Sequence, residues 1–93
     1  MMSKDFSVGD RVRVSTYYHW AKGAIGTVMQ PHDFIVNMSD GWKGIYRKVS
    51  SLKGMLTFYW IGFDQGQIDA DGDGPYAEAE IDSNYLLSVE FQN

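Results

Sequence analysis

The 93-residue chain contains no cysteine. That removes disulfides, thiol nucleophiles and thiolate metal sites, and it fits a reducing interior. Only two histidines are present, His19 and His32, and two imidazoles without thiolates do not compose a zinc site. No stretch approaches the roughly 20 apolar residues that a membrane-spanning helix needs. No apolar leader with a cleavage site opens the chain. A soluble cytoplasmic protein without membrane association is therefore expected. No nucleophile motif such as G-x-S-x-G occurs, and no enzymatic activity is expected. Beyond Lys53 there is neither lysine nor arginine.

Enough apolar material remains for a fold. Hydrophobic residues make up 44% of the chain and aromatics 15%, ample for one modest core spanning residues 1–93 as a single domain. The net charge of −4 conceals a division. Residues 1–53 hold eight basic and four acidic side chains, whereas residues 54–93 hold eight acids and no Lys or Arg. Such an asymmetry either marks a docking face or is neutralised internally when the two halves interleave across strands.

Strand signals dominate and no long helical period appears. Arg11-Val12-Arg13-Val14 alternates strictly, which points Val12 and Val14 to a core. Ala24 to Met29 forms a second strand, with Gly23 and Gly26 marking a bulge or close backbone approach. Pro31 breaks the ladder. Residues 31–54 are an irregular insertion in which Phe34-Ile35-Val36 reads as a short strand. Met55 to Phe63 is apolar on both faces, Leu56, Phe58 and Trp60 on one and Met55, Tyr59, Ile61 and Phe63 on the other. Such a strand must be covered on both faces, so the 31–54 segment or a partner covers the second. Asp64 to Pro75 is an acidic connection. Ala77 to Ile81 is extended, Asp82 to Tyr85 is one helical turn, and Leu87, Val89 and Phe91 alternate in a last strand. The expected core is Val12, Val14, Val28, Phe58, Trp60, Leu87 and Val89. The fold class is all-β, a small, partly open five-stranded antiparallel barrel.

Phe6-Ser-Val-Gly-Asp-Arg-Val-Arg-Val14 followed by Gly23-Ala-Ile-Gly-Thr-Val28 resembles the opening of SH3-like barrels of the KOW and nitrile hydratase β-subunit kind. Tyr59 to Asp64 is similar to their third core strand. Ile81 to Leu86 is similar to the one-turn helix before the last strand of SH3 barrels. The resemblance implies an SH3-like barrel carrying the insertion, a fold that hosts unrelated activities. The paired tryptophans of proline-binding SH3 domains are absent. RNA-binding KOW modules are usually basic, unlike this chain.

Three constellations bear on function. Asp69 to Glu80 matches the calcium-loop pattern D-x-[DN]-x-[DN]-G-x₅-E. Asp69, Asp71, Asp73 and Glu80 would supply carboxylate oxygens, with Gly74 at the sharp turn. The competing reading is a solvated acidic turn. Tyr17, Tyr18, His19 and Trp20 form an aromatic loop suited to an interface, because Tyr and Trp bury much area at low entropic cost. Trp42 extends this set. With Lys43, Tyr46, Arg47 and Lys48 it also forms a basic aromatic patch of the kind that stacks bases, although the negative net charge weighs against nucleic acid. The leading expectation is a small binding or accessory module that docks on a protein partner through the aromatic loop, without a cofactor. A calcium-binding or calcium-stabilised domain is the alternative, and a KOW-like RNA-binding module is the third reading.

Overall fold

In the computed structural model, which describes residues 5–89, the elements in chain order are β1 (Arg11–Val14), β2 (Ile25–Val28), a six-residue helix α1 (Asp33–Met38), β3 (Trp42–Lys43), β4 (Tyr46–Ser51), β5 (Gly54–Gln67), β6 (Tyr76–Asp82), a 3-10 turn (Ser83–Tyr85) and β7 (Leu86–Ser88). The chain is all-β, with one open antiparallel sheet of seven strands in the order β3-β4-β5-β2-β1-β7 and β6 beside β5. Five strands were expected. The additional pair comes from the 31–54 segment, whose β3–β4 hairpin joins the sheet through Tyr46↔Tyr59 to Ser51↔Gly54. Among the described residues, no helix is long and apolar enough to cross a membrane.

β5 organises the sheet. Its first half pairs with β4 and its second half with β2 along the same edge, while β6 occupies the opposite edge. The approach of β2 to β5 is close: a Cβ placed on Gly26 would lie 2.5 Å from the Gly62 carbonyl oxygen. Only glycine fits there.

Register decides which face of β5 is the core. Val28 stands opposite Ile61, and Tyr59 opposite Ile81, so Tyr59 and Ile61 join Val12, Val14, Val28, Ile81 and Leu86 inside. The expected choice of Phe58 and Trp60 is corrected: both lie on the opposite face, and Trp60 is buried outside that cluster. With both faces apolar, the sequence offered no polar alternation to separate them. The last strand is corrected for a related reason. The 3-10 turn ends at Tyr85, β7 begins at Leu86, and a slip of one residue exchanges faces. Leu86 is therefore buried, Leu87 is exposed and Val89 half-buried. Phe91 lies outside the described residues.

Phe34-Ile35-Val36 is helical rather than extended, with the Ile35 and Val36 amides donating to the His32 carbonyl. Asp33 occupies the first turn, where a negative charge complements the helix dipole. The one-turn helix before the last strand is present as the 3-10 turn. Asp82 caps it, its Oδ1 accepting from the Asn84 amide at 2.9 Å, the usual role of a short carboxylate at a helix start.

The basic and acidic halves interleave. Arg11 donates to both carboxylate oxygens of Asp64, with Nη1–Oδ1 at 2.7 Å. Arg47 donates to Glu80, with Nη1–Oε2 at 2.9 Å.

Candidate functional site

The second face of β5 becomes a site at Trp60. Register sets Glu80 opposite Trp60 and Glu78 opposite Gly62, so both glutamates share the face that carries the indole. Trp60 Nε1 donates to Glu78 Oε1 at 2.7 Å, and His32 Nε2 meets the same oxygen at 2.9 Å. His32 in turn stacks on Phe34, with ring centroids 5.7 Å apart and planes 8° from parallel. One carboxylate thereby ties α1 to β6. Trp42 meets Trp60 edge-on at 6.2 Å, so part of the 31–54 segment covers this face.

The β1–β2 loop approaches from the other side, and its four rings divide. Tyr18 turns inward: it is 7% exposed, its ring lies 5.0 Å from that of Tyr85, and its hydroxyl oxygen accepts from the Asp82 amide at 3.4 Å. Burial raises its pKa. Tyr18 anchors the loop and presents no surface of its own. Tyr17 is 90% exposed. His19 is exposed, and the half-buried Trp20 meets Phe63 at 5.8 Å and Tyr76 at 5.9 Å, both edge-on.

Between these two walls lies a groove of about 620 Å³, lined by the rings of His19, Trp20, Phe34 and Trp60 and by the carboxylates of Asp69, Asp71, Glu78 and Glu80. Tyr76 also lines it. Its pKa is raised first by desolvation and then by the Asp69 and Asp73 carboxylates nearby. Among the described residues no Lys or Arg lines the groove; Arg47 reaches Glu80 while its Nε donates to the Asp40 carbonyl at 2.7 Å. The volume falls within the span of ordinary ligand sites, and charges of one sign lining a cleft focus the field. Rings and carboxylates together present a surface for cations, which aromatic faces also attract.

The acidic loop is closed by its own hydrogen bonds. Asp69 Oδ1 accepts from the amides of Asp71 and Asp73, each at 2.9 Å, and the Asp69 amide donates to the Asp73 carbonyl at 2.9 Å. Glu80 is engaged by Arg47. Asp69, Asp71 and Glu80 line the groove, Asp73 does not, and among the described residues no group of three or more His, Cys, Asp or Glu is placed to hold a metal ion. Gly74 has φ +128°, a conformation that a residue with a side chain would adopt only under strain.

The basic aromatic patch is split across the β3–β4 hairpin. Lys43, Tyr46 and Lys48 share one face, with the Lys48 ammonium 5.8 Å from the Tyr46 ring centroid. Trp42 and Arg47 pair on the other. Trp42 Nε1 is buried without a hydrogen-bond partner among the described residues.

No protein-family model, curated protein or solved structure matches the chain.

Sequence reasoning found Trp20, His19, Asp69, Asp71 and Glu80 as candidates, but it did not assemble them. It missed Glu78, Phe34 and Tyr76. A usable signal existed for Glu78, since Glu78 and Glu80 alternate with Ala77, Ala79 and Ile81, and an alternating strand sets its acids on one face. Nothing comparable marked Phe34, whose position depends on α1 being helical.

Proposed function

We propose that this chain is a docking module rather than an enzyme, and that its acidic, aromatic groove receives a basic segment of a protein partner. The convergence of four carboxylates and several rings on one groove, without a lining Lys or Arg among the described residues, carries the reading. The aromatic loop contributes Trp20 and His19, so it serves docking as one wall of the groove. The fold suits this role. The path β7-β1-β2-β5-β6, with a 3-10 turn between β6 and β7, supports an SH3-like barrel in which the 31–54 segment is the insertion. Loops and insertions on such a frame commonly hold binding residues.

Intrinsic fluorescence provides the test, since Trp20 and Trp60 both line the groove. Titration with decalysine should shift the emission, and the affinity should fall as salt rises. Asp71→Lys, at an exposed position, should weaken the complex roughly tenfold, the consequence of about 1.4 kcal/mol of lost interaction. Equal binding by wild type and Asp71→Lys, or an equal response to decaglutamate, would overturn the proposal.

A further inference from the structure

The groove runs beside a strand edge. Among the described residues β5 is the only strand neighbour of β6, so one edge of β6 is unpaired. Two hydrogen bonds establish which backbone groups that edge presents. The Trp60 carbonyl accepts from the Met29 amide at 2.9 Å, which directs the backbone of Trp60 away from β6. Its partner across the ladder is Glu80, and the two therefore form a non-hydrogen-bonded pair, with the backbone groups of Glu80 facing outward. Independently, the Asp82 amide donates outward, to Tyr18 Oη at 3.4 Å. The alternation of an antiparallel ladder then directs the amide and carbonyl of Glu78 outward as well. Tyr18 closes the edge at Asp82, leaving the stretch from Tyr76 to Glu80 beside the groove.

We infer that the partner segment binds as an added β-strand along this edge of β6, antiparallel, with basic residues at alternate positions. This rests on the reading of the groove as a site for a basic segment and specifies its conformation. Strand addition uses the row of unpaired backbone groups for affinity and alternate side chains for specificity. Glu78 and Glu80 are two residues apart on one face, so a lysine or arginine directly opposite each makes a favourable cross-strand pair. The intervening residues of the added strand turn to the other face, where Ala79 and the Trp20 ring line the groove, and small apolar side chains fit there. The recognised chemistry is an extended segment alternating basic with apolar residues. A helical basic segment offers the same charge and no backbone groups to the edge.

The test uses an acetylated octapeptide of alternating Lys and Val, compared with a peptide of the same composition carrying four Lys in a block followed by four Val. The alternating peptide should bind more tightly by tenfold or more. N-methylation of its lysine amides, which would face β6 in the antiparallel pairing, should abolish binding, whereas N-methylation of its valine amides should leave it within a few-fold. Amide hydrogen exchange at Glu78 and Glu80 should slow at least tenfold on saturation. If both peptides bind, Asp71→Lys weakens both, and neither N-methylation nor exchange at Glu78 and Glu80 distinguishes them, strand addition is wrong while the groove reading stands. If neither peptide binds, both readings fall together.

Discussion

The two faces of β5 are about equally apolar in sequence and are used in opposite ways. On one, Tyr59 and Ile61 meet Val28, Ile81 and Leu86 in a closed core. The Tyr59 hydroxyl accepts from the Phe6 amide at 3.1 Å, and the two rings meet edge-on at 5.3 Å. On the other, Trp60 is buried beneath Trp42 and the α1 region, yet its indole lines an open groove. The difference follows from what covers each face. Strands on both flanks fill the first, where methyl-rich side chains pack closely and the Tyr59 hydroxyl has its backbone partner. The second is covered by a short helix and a two-stranded hairpin, which leave a gap. A tryptophan suits a partly covered face because its N–H finds a partner, here Glu78, while its rings stay buried. Burial separates the two faces only by degree, with Ile61 at 0% and Trp60 at 8% exposed. The quality of the covering distinguishes them.

Stability measurements can break this comparison. Ile61→Ala removes a side chain that is 0% exposed at the crossing of β2, β5 and β6. It should cost about 2–5 kcal/mol, the range for deleting buried methyl groups with a residual cavity. That is a large share of the stability of a small domain. Urea unfolding of the two proteins measures it. A loss below about 1 kcal/mol would mean that the closed face has been misassigned.

Trp60→Phe should cost less. The ring surface is largely kept, and the lost hydrogen bond to Glu78 is worth about 1–2 kcal/mol, with the carboxylate still in reach of His32 and partly in water. The same substitution should weaken decalysine binding, because Glu78 loses the contact that fixes it at the groove. Ile61→Val, at a similar cost in stability, should leave binding unchanged. Binding that follows stability alone, with both substitutions weakening it in proportion, would erase the functional distinction between the faces.

How much of this was written in the sequence depended on whether a segment had a polar side. Val12 and Val14 alternate with Arg11 and Arg13, so the assignment of β1 to the core was legible. Val28 was legible as well, with Gly26 marking the close approach. In β5 the alternation is missing, and only pairing with β2 and β6 chooses between Ile61 and Trp60. Leu86 and Leu87 are adjacent and chemically identical, so the end of the 3-10 turn alone decides which is inside. The insertion was least legible. Phe34-Ile35-Val36 has strand composition, but the Asp33 start and the tie from His32 to Glu78 accompany a helical form. The groove therefore contains residues that sequence flagged singly, such as Trp20 and Asp71, assembled by contacts between segments far apart in the chain.

The smallest predicted effect concerns the pairing of the two oppositely charged halves. The Arg11 guanidinium holds the Asp64 carboxyl below its ordinary value, chiefly through their hydrogen bonds, which outweigh an opposing desolvation, with their charge attraction adding least. A carboxylate whose pKa is depressed by folding stabilises the native state where both folded and unfolded forms are ionised. That contribution is fully present above the ordinary carboxylate range. It declines as pH falls through that range toward the lower value of the folded state, and it vanishes below both. Asp64→Asn should therefore lower the melting temperature slightly at neutral pH, by a margin that shrinks on acidification and closes in strong acid. The pair is partly open to solvent, so the margin should be small and should shrink further in high salt. Melting curves of both proteins across the acid range test this. A deficit that stays constant down to strong acid would assign the role of Asp64 to shape or hydrogen bonding rather than to its charge.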